Sequence, residues 1–294
     1  MRILATQTFL GPAFEELPDV ELLDSWPPPA QLPGAEVLMQ AAMRVGAAEL
    51  ELLPGLRLVA NYGVGYDGVD VAACRARGIA VTNTPGVLDA AVADLTLTLL
   101  LACRRDVVVA DRFVREGRWR SGWAQPEIVG HDVAGTTLGL IGFGRIGREV
   151  ARRAEAFRMR VVHHSRSGGL PLDDLLRSAD VVSLHVPLTE ETRGLISRER
   201  LALLRDGATL INTARGAVVD EDALVDELVS GRISAGLDVF ADEPRVPERL
   251  RGLSNVVLTP HLASSTAETR AAMTRVLVDN VLAYLRGESL PTPV

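Results

Sequence analysis

Short apolar runs alternate with helix-like stretches along the first third of the chain. Residues 46–53 and 69–78 have helical spacing and separate the later runs. Alternation of this kind predicts a parallel sheet covered by helices. The apolar runs of this series are MRILAT, VELLD, AEVLM, LRLVANYG and IAVTN.

A second alternating series begins near residue 136 and predicts six further strands with helices between the early ones. This layout is typical of a doubly wound sheet with a topological switch point. Residues 89–117 contain few helix breakers and predict one long helix, and residues 118–135 predict an irregular, tryptophan-bearing stretch. The runs of the second series are TTLGLIG, MRVVHHS, DVVSLHV, ATLINTA, ISAGLDV and NVVLTP.

The C-terminal residues 267–287 read as one amphipathic helix. Because the first domain lacks a closing helix, we expect this helix to return to it. The fold class is therefore α/β with two doubly wound parallel-sheet domains. Residues 1–92 and 268–294 would form a flavodoxin-like substrate domain, residues 93–267 a Rossmann nucleotide-binding domain, and the active site would lie in the cleft between them.

The amino-acid composition excludes several classes of function. The net charge of −7 and pI near 5.4 disfavour a nucleic-acid partner. All 31 basic residues are arginine, which excludes Schiff-base chemistry and the lysine-dependent phosphate loop. Cys74 and Cys103 lie far apart and support neither a disulfide nor a metal site. No segment predicts a signal peptide or membrane span, so we expect a cytoplasmic protein.

A glycine pattern, GLIGFGRIG, joins a predicted strand to a predicted helix. In this context Gly142, Gly144 and Gly147 would allow a tight turn and the close approach of a pyrophosphate to the helix N-terminus, where Arg145 and Ile146 also lie. About 20 residues later, where an acidic residue would bind a ribose hydroxyl, the chain has Ser165 and Arg166. These side chains can donate to a 2′-phosphate, which favours NADP; NAD remains possible.

Three later strand ends carry polar side chains, where a doubly wound sheet places its ligands. Arg215 offers a guanidinium fork for a carboxylate or carbonyl oxygen, and His261 is the natural proton donor near neutral pH. Glu243 could accept the other ring hydrogen of His261, fixing the tautomer and favouring the protonated ring. The remaining histidines lack such companions and are interpreted as structural or peripheral.

These stretches resemble the D-isomer-specific 2-hydroxyacid dehydrogenase family over nearly the whole chain, and most resemble its glyoxylate/hydroxypyruvate reductase branch. The similarity lies in GVGYDGVDVAACRARGIAVTNTPGVL, GTTLGLIGFGRIG, HVPLTEETRGLI, LINTARGAVVDEDAL, GLDVFADEP and TPHLAS. It implies that Arg215 binds and polarises a keto acid, that His261 is the acid/base and that Glu243 is its partner. It also implies that the backbone amides of Val64 and Gly65 hold the substrate carboxylate, that Asp238 contacts the nicotinamide amide, and that Pro187, Thr192 and Thr213 line the nucleotide.

The favoured hypothesis is an NADPH-dependent reductase of glyoxylate or hydroxypyruvate. An NAD-linked dehydrogenase for another D-2-hydroxy acid stays open, because the side chains near Gln40 and Arg44 cannot be placed in a pocket from sequence. A nucleotide-sensing, corepressor-like protein also stays open. Residues 94–123 are apolar and tryptophan-rich enough to predict a homodimer.

Overall fold

The computed structural model describes residues 2–120, 122 and 128–294. The strands are β1 Arg2–Ala5, β2 Val20–Leu22, β3 Ala35–Gln40, β4 Leu58–Asn61, β5 Ala80–Thr82, β6 Thr137–Ile141, β7 Arg160–Ser165, β8 Gly168–Gly169, β9 Val181–Leu184, β10 Thr209–Asn212, β11 Ser234–Leu237 and β12 Val256–Leu258. The helices are α1 Ala47–Glu51, α2 Val71–Ala76, α3 Asp89–Arg104, α4 Val107–Arg115, α5 Arg145–Ala156, α6 Leu172–Ser178, α7 Arg198–Leu201, α8 Glu221–Val229, α9 Glu248–Arg251 and α10 Ala267–Leu285.

The chain forms two compact units. One contains the residues up to Leu88 together with Ser264–Val294, and the other contains Asp89–Ala263. Within the residues that the structure describes, no helix has both the length and the apolar character needed to cross a bilayer.

The first unit is built on a parallel sheet with the strand order β2-β1-β3-β4-β5, which is the flavodoxin-like order. Leu38 and Val59 pack with Leu50 of α1 and Cys74 of α2. Helix α10 packs against β4. Burial of β3 and β4 explains why their sequences read as continuous apolar runs.

The second unit has a seven-stranded sheet in the order β12-β11-β10-β9-β6-β7-β8. Leu100 of α3 and Val150 of α5 belong to one core cluster, and Leu175 of α6 and Leu224 of α8 belong to another. The strand order reverses between β6 and β9, so the carboxyl ends of these strands form the switch point. The α/β class and the two parallel-sheet domains are thus confirmed. The six predicted strands are present, and the short β8, antiparallel to β7, is additional.

The prediction of one helix over residues 89–117 is wrong. Helix α3 ends at Arg104 and α4 begins at Val107, and between them Asp106 has a left-handed φ of 50°. The backbone N–H of His131 donates to the Arg104 carbonyl at 2.6 Å, and the Arg104 guanidinium donates to the Asp132 carbonyl at 2.8 Å. Hydrogen bonds from a distant segment therefore end the helix where the local sequence carries no breaker. Part of the predicted irregular stretch, 118–135, lies outside the described residues.

Candidate active site

The glycine loop connects β6 to α5 at the switch point of the second unit. Gly142 has a φ of 96°, and a Cβ there would collide with the carbonyl oxygen of His185. A Cβ at Gly147 would collide with the carbonyl oxygen of Gly142. At Gly144, which precedes α5, no described atom lies within 4 Å of a Cβ position. The loop therefore combines a tight turn, close helix packing and an open backbone at the helix N-terminus, which fits a dinucleotide pyrophosphate.

Side chains around this loop are held by contacts within the unit. The Nε atom of Arg145 lies 3.1 Å from Oδ2 of Asp89, the first residue of α3. Ile146 is half-buried and packs against the core beneath α5. The ring of Phe143 stacks on His163, with centroids 4.1 Å apart and planes 15° apart. Burial lowers the pKa of His185 to about 4, so that ring is neutral at pH 7.

Ser165 is the last residue of β7, and Arg166 follows it with an exposed side chain. The Ser165 hydroxyl donates to the Gly168 carbonyl at 3.0 Å. A hydrogen bond from Thr189, and to a smaller extent the charge of Arg166, holds the pKa of Glu191 below its usual range. The charge of Arg166 thus reaches Glu191, while the carboxyl end of β7 itself carries no acidic side chain.

The three residues expected to line the nucleotide fall into two places. The Thr192 hydroxyl donates to the Pro187 carbonyl at 2.6 Å and folds back the segment that follows β9. Thr213 lies after β10, and its buried hydroxyl is 2.9 Å from that of Thr96 on α3.

His261 and Glu243 form a hydrogen-bonded pair in the second unit. Nδ1 of His261 lies 2.7 Å from Oε2 of Glu243, and the other carboxylate oxygen accepts from the Phe240 backbone N–H at 3.0 Å. His261 has a left-handed φ of 52°. This conformation is strained for a residue with a side chain, and such strained residues occur most often at functional sites. With Nδ1 turned to the carboxylate, Nε2 is left as the ring atom that can exchange a proton with a ligand.

Glu243 is a permanent anion at neutral pH. Burial by itself would raise the pKa of its carboxyl. The hydrogen bonds from His261 and the Phe240 N–H, together with the charges of His261 and Arg215, outweigh this effect and place the pKa below its ordinary value. Glu243 therefore presents an ionised carboxylate to Nδ1 of His261.

Arg215 follows β10 on a loop that its neighbours hold closely. The Asn212 side chain donates to the Arg215 carbonyl at 2.9 Å and accepts from the Ala214 N–H at 3.0 Å. Gly216 lies so close to the Phe240 backbone that a Cβ would collide with it. Since the Phe240 N–H also bonds Glu243, the Arg215 loop and the Glu243 loop rest on the same stretch of backbone.

Asp238 is fully buried after β11. Its carboxylate accepts from the Thr259 hydroxyl at 2.6 Å and from the backbone N–H groups of Leu262 and Ala263 at 2.9 Å each. The His261 N–H donates to the Asp238 carbonyl at 2.8 Å. Asp238 therefore fixes both sides of the turn that carries His261.

Val64 and Gly65 belong to the first unit, in a turn that follows β4. The Asn61 side chain donates to the carbonyls of Gly63 and Gly65 at 3.1 Å each, and Asn83 donates to the Val64 carbonyl at 2.9 Å. Within the described part of the chain, the N–H groups of Val64 and Gly65 donate to no protein acceptor. Asparagine side chains thus hold three successive carbonyls, and the N–H groups of Val64 and Gly65 are suited to an anion.

Several residues that shape the site were missed by the sequence analysis. They are asparagines at the ends of buried strands: Asn61 ends β4, Asn83 follows β5 and Asn212 ends β10. A polar amide at the last position of an apolar run is a detectable signal, because a buried amide must bond backbone groups nearby. Gln40, which the sequence left without a role, donates to Asn61 Oδ1 and accepts from the Met43 N–H.

Comparison with known proteins places this geometry in a family. The profile of the D-isomer specific 2-hydroxyacid dehydrogenase NAD binding domain matches residues 97–263. The glyoxylate reductase of Pyrococcus horikoshii is 48% identical over 266 residues, covering 85% of this chain and 80% of that protein. The glyoxylate reductase of Thermococcus kodakarensis is 41% identical over 319 aligned positions, covering 100% and 96%.

A solved structure extends the comparison to three dimensions. The crystal structure of an NADPH-dependent glyoxylate/hydroxypyruvate reductase from Sinorhizobium meliloti, in complex with NADP and malonate, has a TM-score of 0.91 and 38% identity, covering 100% of this chain and 96% of that one. The similarity therefore includes both units. The chain belongs to the D-isomer specific 2-hydroxyacid dehydrogenase family of NAD(P)-dependent enzymes.

Proposed function

We propose that this enzyme reduces glyoxylate to glycolate and hydroxypyruvate to D-glycerate, with NADPH as the preferred cofactor. The observation that carries the proposal is the pair of His261 and Glu243 in the unit that also holds the glycine loop. The names of its relatives support the choice of substrate.

The residues at the carboxyl end of β7 favour NADPH over NADH as the cofactor. Gly142, Gly144 and Gly147 would hold the pyrophosphate, while Ser165 and Arg166 would donate hydrogen bonds to a 2′-phosphate. A carboxylate would repel that phosphate, and none stands at these positions. The S. meliloti relative, which is NADPH-dependent, was solved with NADP.

Each of the other residues has a chemical task. The amides of Val64 and Gly65 would bind the substrate carboxylate, and Arg215 would bind and polarise the 2-oxo group. A bound reduced nicotinamide supplies the hydride. Protonated His261 would give its Nε2 proton to the carbonyl oxygen, and Glu243 stabilises the imidazolium before that transfer.

A panel of 2-oxo acids tests the substrate. With NADPH we expect higher kcat/KM for glyoxylate and hydroxypyruvate than for phosphohydroxypyruvate or branched 2-oxo acids. A preference for a bulkier acid would replace the proposed substrate, and cofactor binding without turnover of any acid would indicate a nucleotide sensor.

The pH profile of Glu243→Gln tests the role of the pair. The charge of His261 helps to lower the pKa of Glu243, so the two groups are coupled. Removing the carboxylate charge should therefore move the loss of glyoxylate reduction to lower pH than in the wild type. Oxidation of the hydroxy acid, which needs the neutral ring, should improve toward high pH in both enzymes. The readout is kcat/KM against pH.

Glu221 offers a matched control for that profile. Its Oε1 accepts from the Ala241 N–H at 2.8 Å, and Glu221→Gln keeps an acceptor there without touching the pair. The control should follow the wild-type profile. A Glu243→Gln profile that coincides with it would show that Glu243 does not control the proton on His261.

We also propose a homodimer. In the second unit, α4 and the residues after it expose Val108, Val114, Trp119 and Val129, with 71% of Val129 accessible. Apolar groups at this density usually meet a partner. Of the predicted segment 94–123, Ser121 and Trp123 lie outside the described residues. Light scattering at micromolar concentration should give twice the 31.5 kDa chain mass. The single-chain mass would contradict the proposal, and Val114→Arg should weaken the dimer.

A further inference from the structure

The C-terminal residues 292–294 run antiparallel to β5, the edge strand of the first unit. Thr82 and Pro293 form an isolated antiparallel bridge. The Val294 N–H donates to the Val81 carbonyl at 2.9 Å, and the Asn83 N–H donates to the Thr292 carbonyl at 3.3 Å. The tail therefore covers the sheet edge at the point where β5 ends.

Thr292 links this tail to a buried amide. Its hydroxyl donates to the Asn83 carbonyl at 2.6 Å and accepts from the Asn280 side chain at 2.8 Å, while its N–H donates to Asn280 Oδ1 at 3.1 Å. Asn280 lies on α10 with no exposed surface. Because these groups satisfy one another in a partly buried place, they fix the backbone at Asn83 relative to α10.

Asn83 passes this constraint to the turn at residues 63–65. Its side-chain amide donates to the Val64 carbonyl at 2.9 Å, and the next residue, Thr84, donates its N–H to the Gly63 carbonyl at 3.0 Å. The direction of the Val64 carbonyl sets the plane of the peptide that contains the Gly65 N–H. A change in the position of Asn83 therefore turns one of the two amides assigned to the substrate carboxylate.

We propose that Thr292 is a positioning residue for the substrate: through Asn83 and the Val64 carbonyl, the C-terminal tail holds the Gly65 amide in its anion-binding orientation beside the Val64 amide. This inference rests on the proposed function, which assigns those amides to the 2-oxo acid. The tail acts on the carboxylate end of the substrate and leaves proton transfer to His261, so its loss weakens binding more than turnover.

Thr292→Val tests the inference, since valine keeps the shape and removes the hydroxyl. Valine removes the hydroxyl's hydrogen bonds with Asn83 and Asn280, and part of that loss should reach the Gly65 amide. At saturating NADPH we therefore expect KM for glyoxylate to rise by about 3- to 10-fold, with kcat changed less than about twofold. Thr292→Ser should restore the wild-type KM. Tyr284→Phe is the matched control, because it removes a hydrogen bond from α10 to Glu36, away from the tail, and should leave KM unchanged.

A double-mutant cycle tests the route through Asn83. Asn83→Ala should raise KM by a similar factor, and adding Thr292→Val to it should raise KM little further, because both changes interrupt one chain of contacts. Independent effects that multiply would overturn the route. So would an unchanged KM in Thr292→Val, or an equal rise in KM in Tyr284→Phe.

Binding of oxalate to the NADP-loaded enzyme separates this inference from the proposed function. Calorimetry should show that the dissociation constant for oxalate is higher in Thr292→Val than in the wild type, by the same factor as KM for glyoxylate. If the wild type binds oxalate but does not reduce glyoxylate, the proposed function fails while the oxalate ratio still decides the role of Thr292. A wild type that neither binds oxalate nor turns over overturns both.

Discussion

Replacing His261 by alanine should lower kcat for glyoxylate reduction by about 10²- to 10⁴-fold, the usual contribution of a positioned acid or base. Nδ1 of His261 lies 2.7 Å from Glu243, so Nε2 is the ring atom that would deliver the proton to the substrate. Alanine removes this proton donor. Affinity for NADPH, which we propose is provided by the glycine loop and the end of β7, should stay close to the wild-type value. Single-turnover rates and cofactor titration measure the two quantities separately.

His164 provides the comparison for that experiment. This residue lies near the end of β7, and its Nδ1 is 2.9 Å from the Leu170 carbonyl. We propose no acid/base role for it. His164→Ala should keep kcat near the wild-type value. Near-normal turnover in His261→Ala would show that the proton comes from another group.

Replacing Ser165 by aspartate should reverse the cofactor preference. An added carboxylate repels the 2′-phosphate by about 3 kcal/mol at a partly exposed site, which lowers kcat/KM with NADPH relative to NADH on the order of 100-fold. The readout is the ratio of kcat/KM for the two cofactors with glyoxylate as the fixed substrate. The wild-type ratio should exceed one.

Ser165→Asn separates charge from shape in this test. Asparagine matches aspartate in size and also disturbs the hydrogen bond to the Gly168 carbonyl, but it carries no charge. Its ratio should lie much closer to the wild-type ratio than that of the aspartate variant. Equal ratios for the two variants would show that the phosphate does not bind near Ser165.

The sequence predicts the strands well because both sheets are mostly parallel and their central strands are buried on both faces. Runs such as TTLGLIG and ATLINTA stay apolar throughout, and β6 and β10 lie within them. Strand β8 was missed because Gly168 and Gly169 offer no side-chain pattern and pair only through the backbone of β7. The break before α4 was missed because its cause, the hydrogen bond from His131, lies 27 residues away from Arg104 along the chain.

Some residues of the candidate site could also be predicted from the sequence, and others could not. The rule that ligands bind at the carboxyl ends of parallel strands was enough to select Arg215, Glu243 and His261. It gave no means of predicting that Asp238 holds the His261 turn through three donors, because those contacts depend on the path of residues 259–263. Asn212 ends an apolar run and could have been noticed, but the sequence does not show which backbone groups its amide bonds.

The stereochemistry of hydroxypyruvate reduction tests the central claim most directly. Wild-type enzyme, NADPH and hydroxypyruvate are combined, the loss of NADPH is followed, and the enantiomer of the glycerate formed is determined. We predict one molecule of D-glycerate for each NADPH oxidised. Formation of L-glycerate, or no oxidation of NADPH, would contradict the assignment of this enzyme as a D-specific, NADPH-dependent 2-oxo acid reductase.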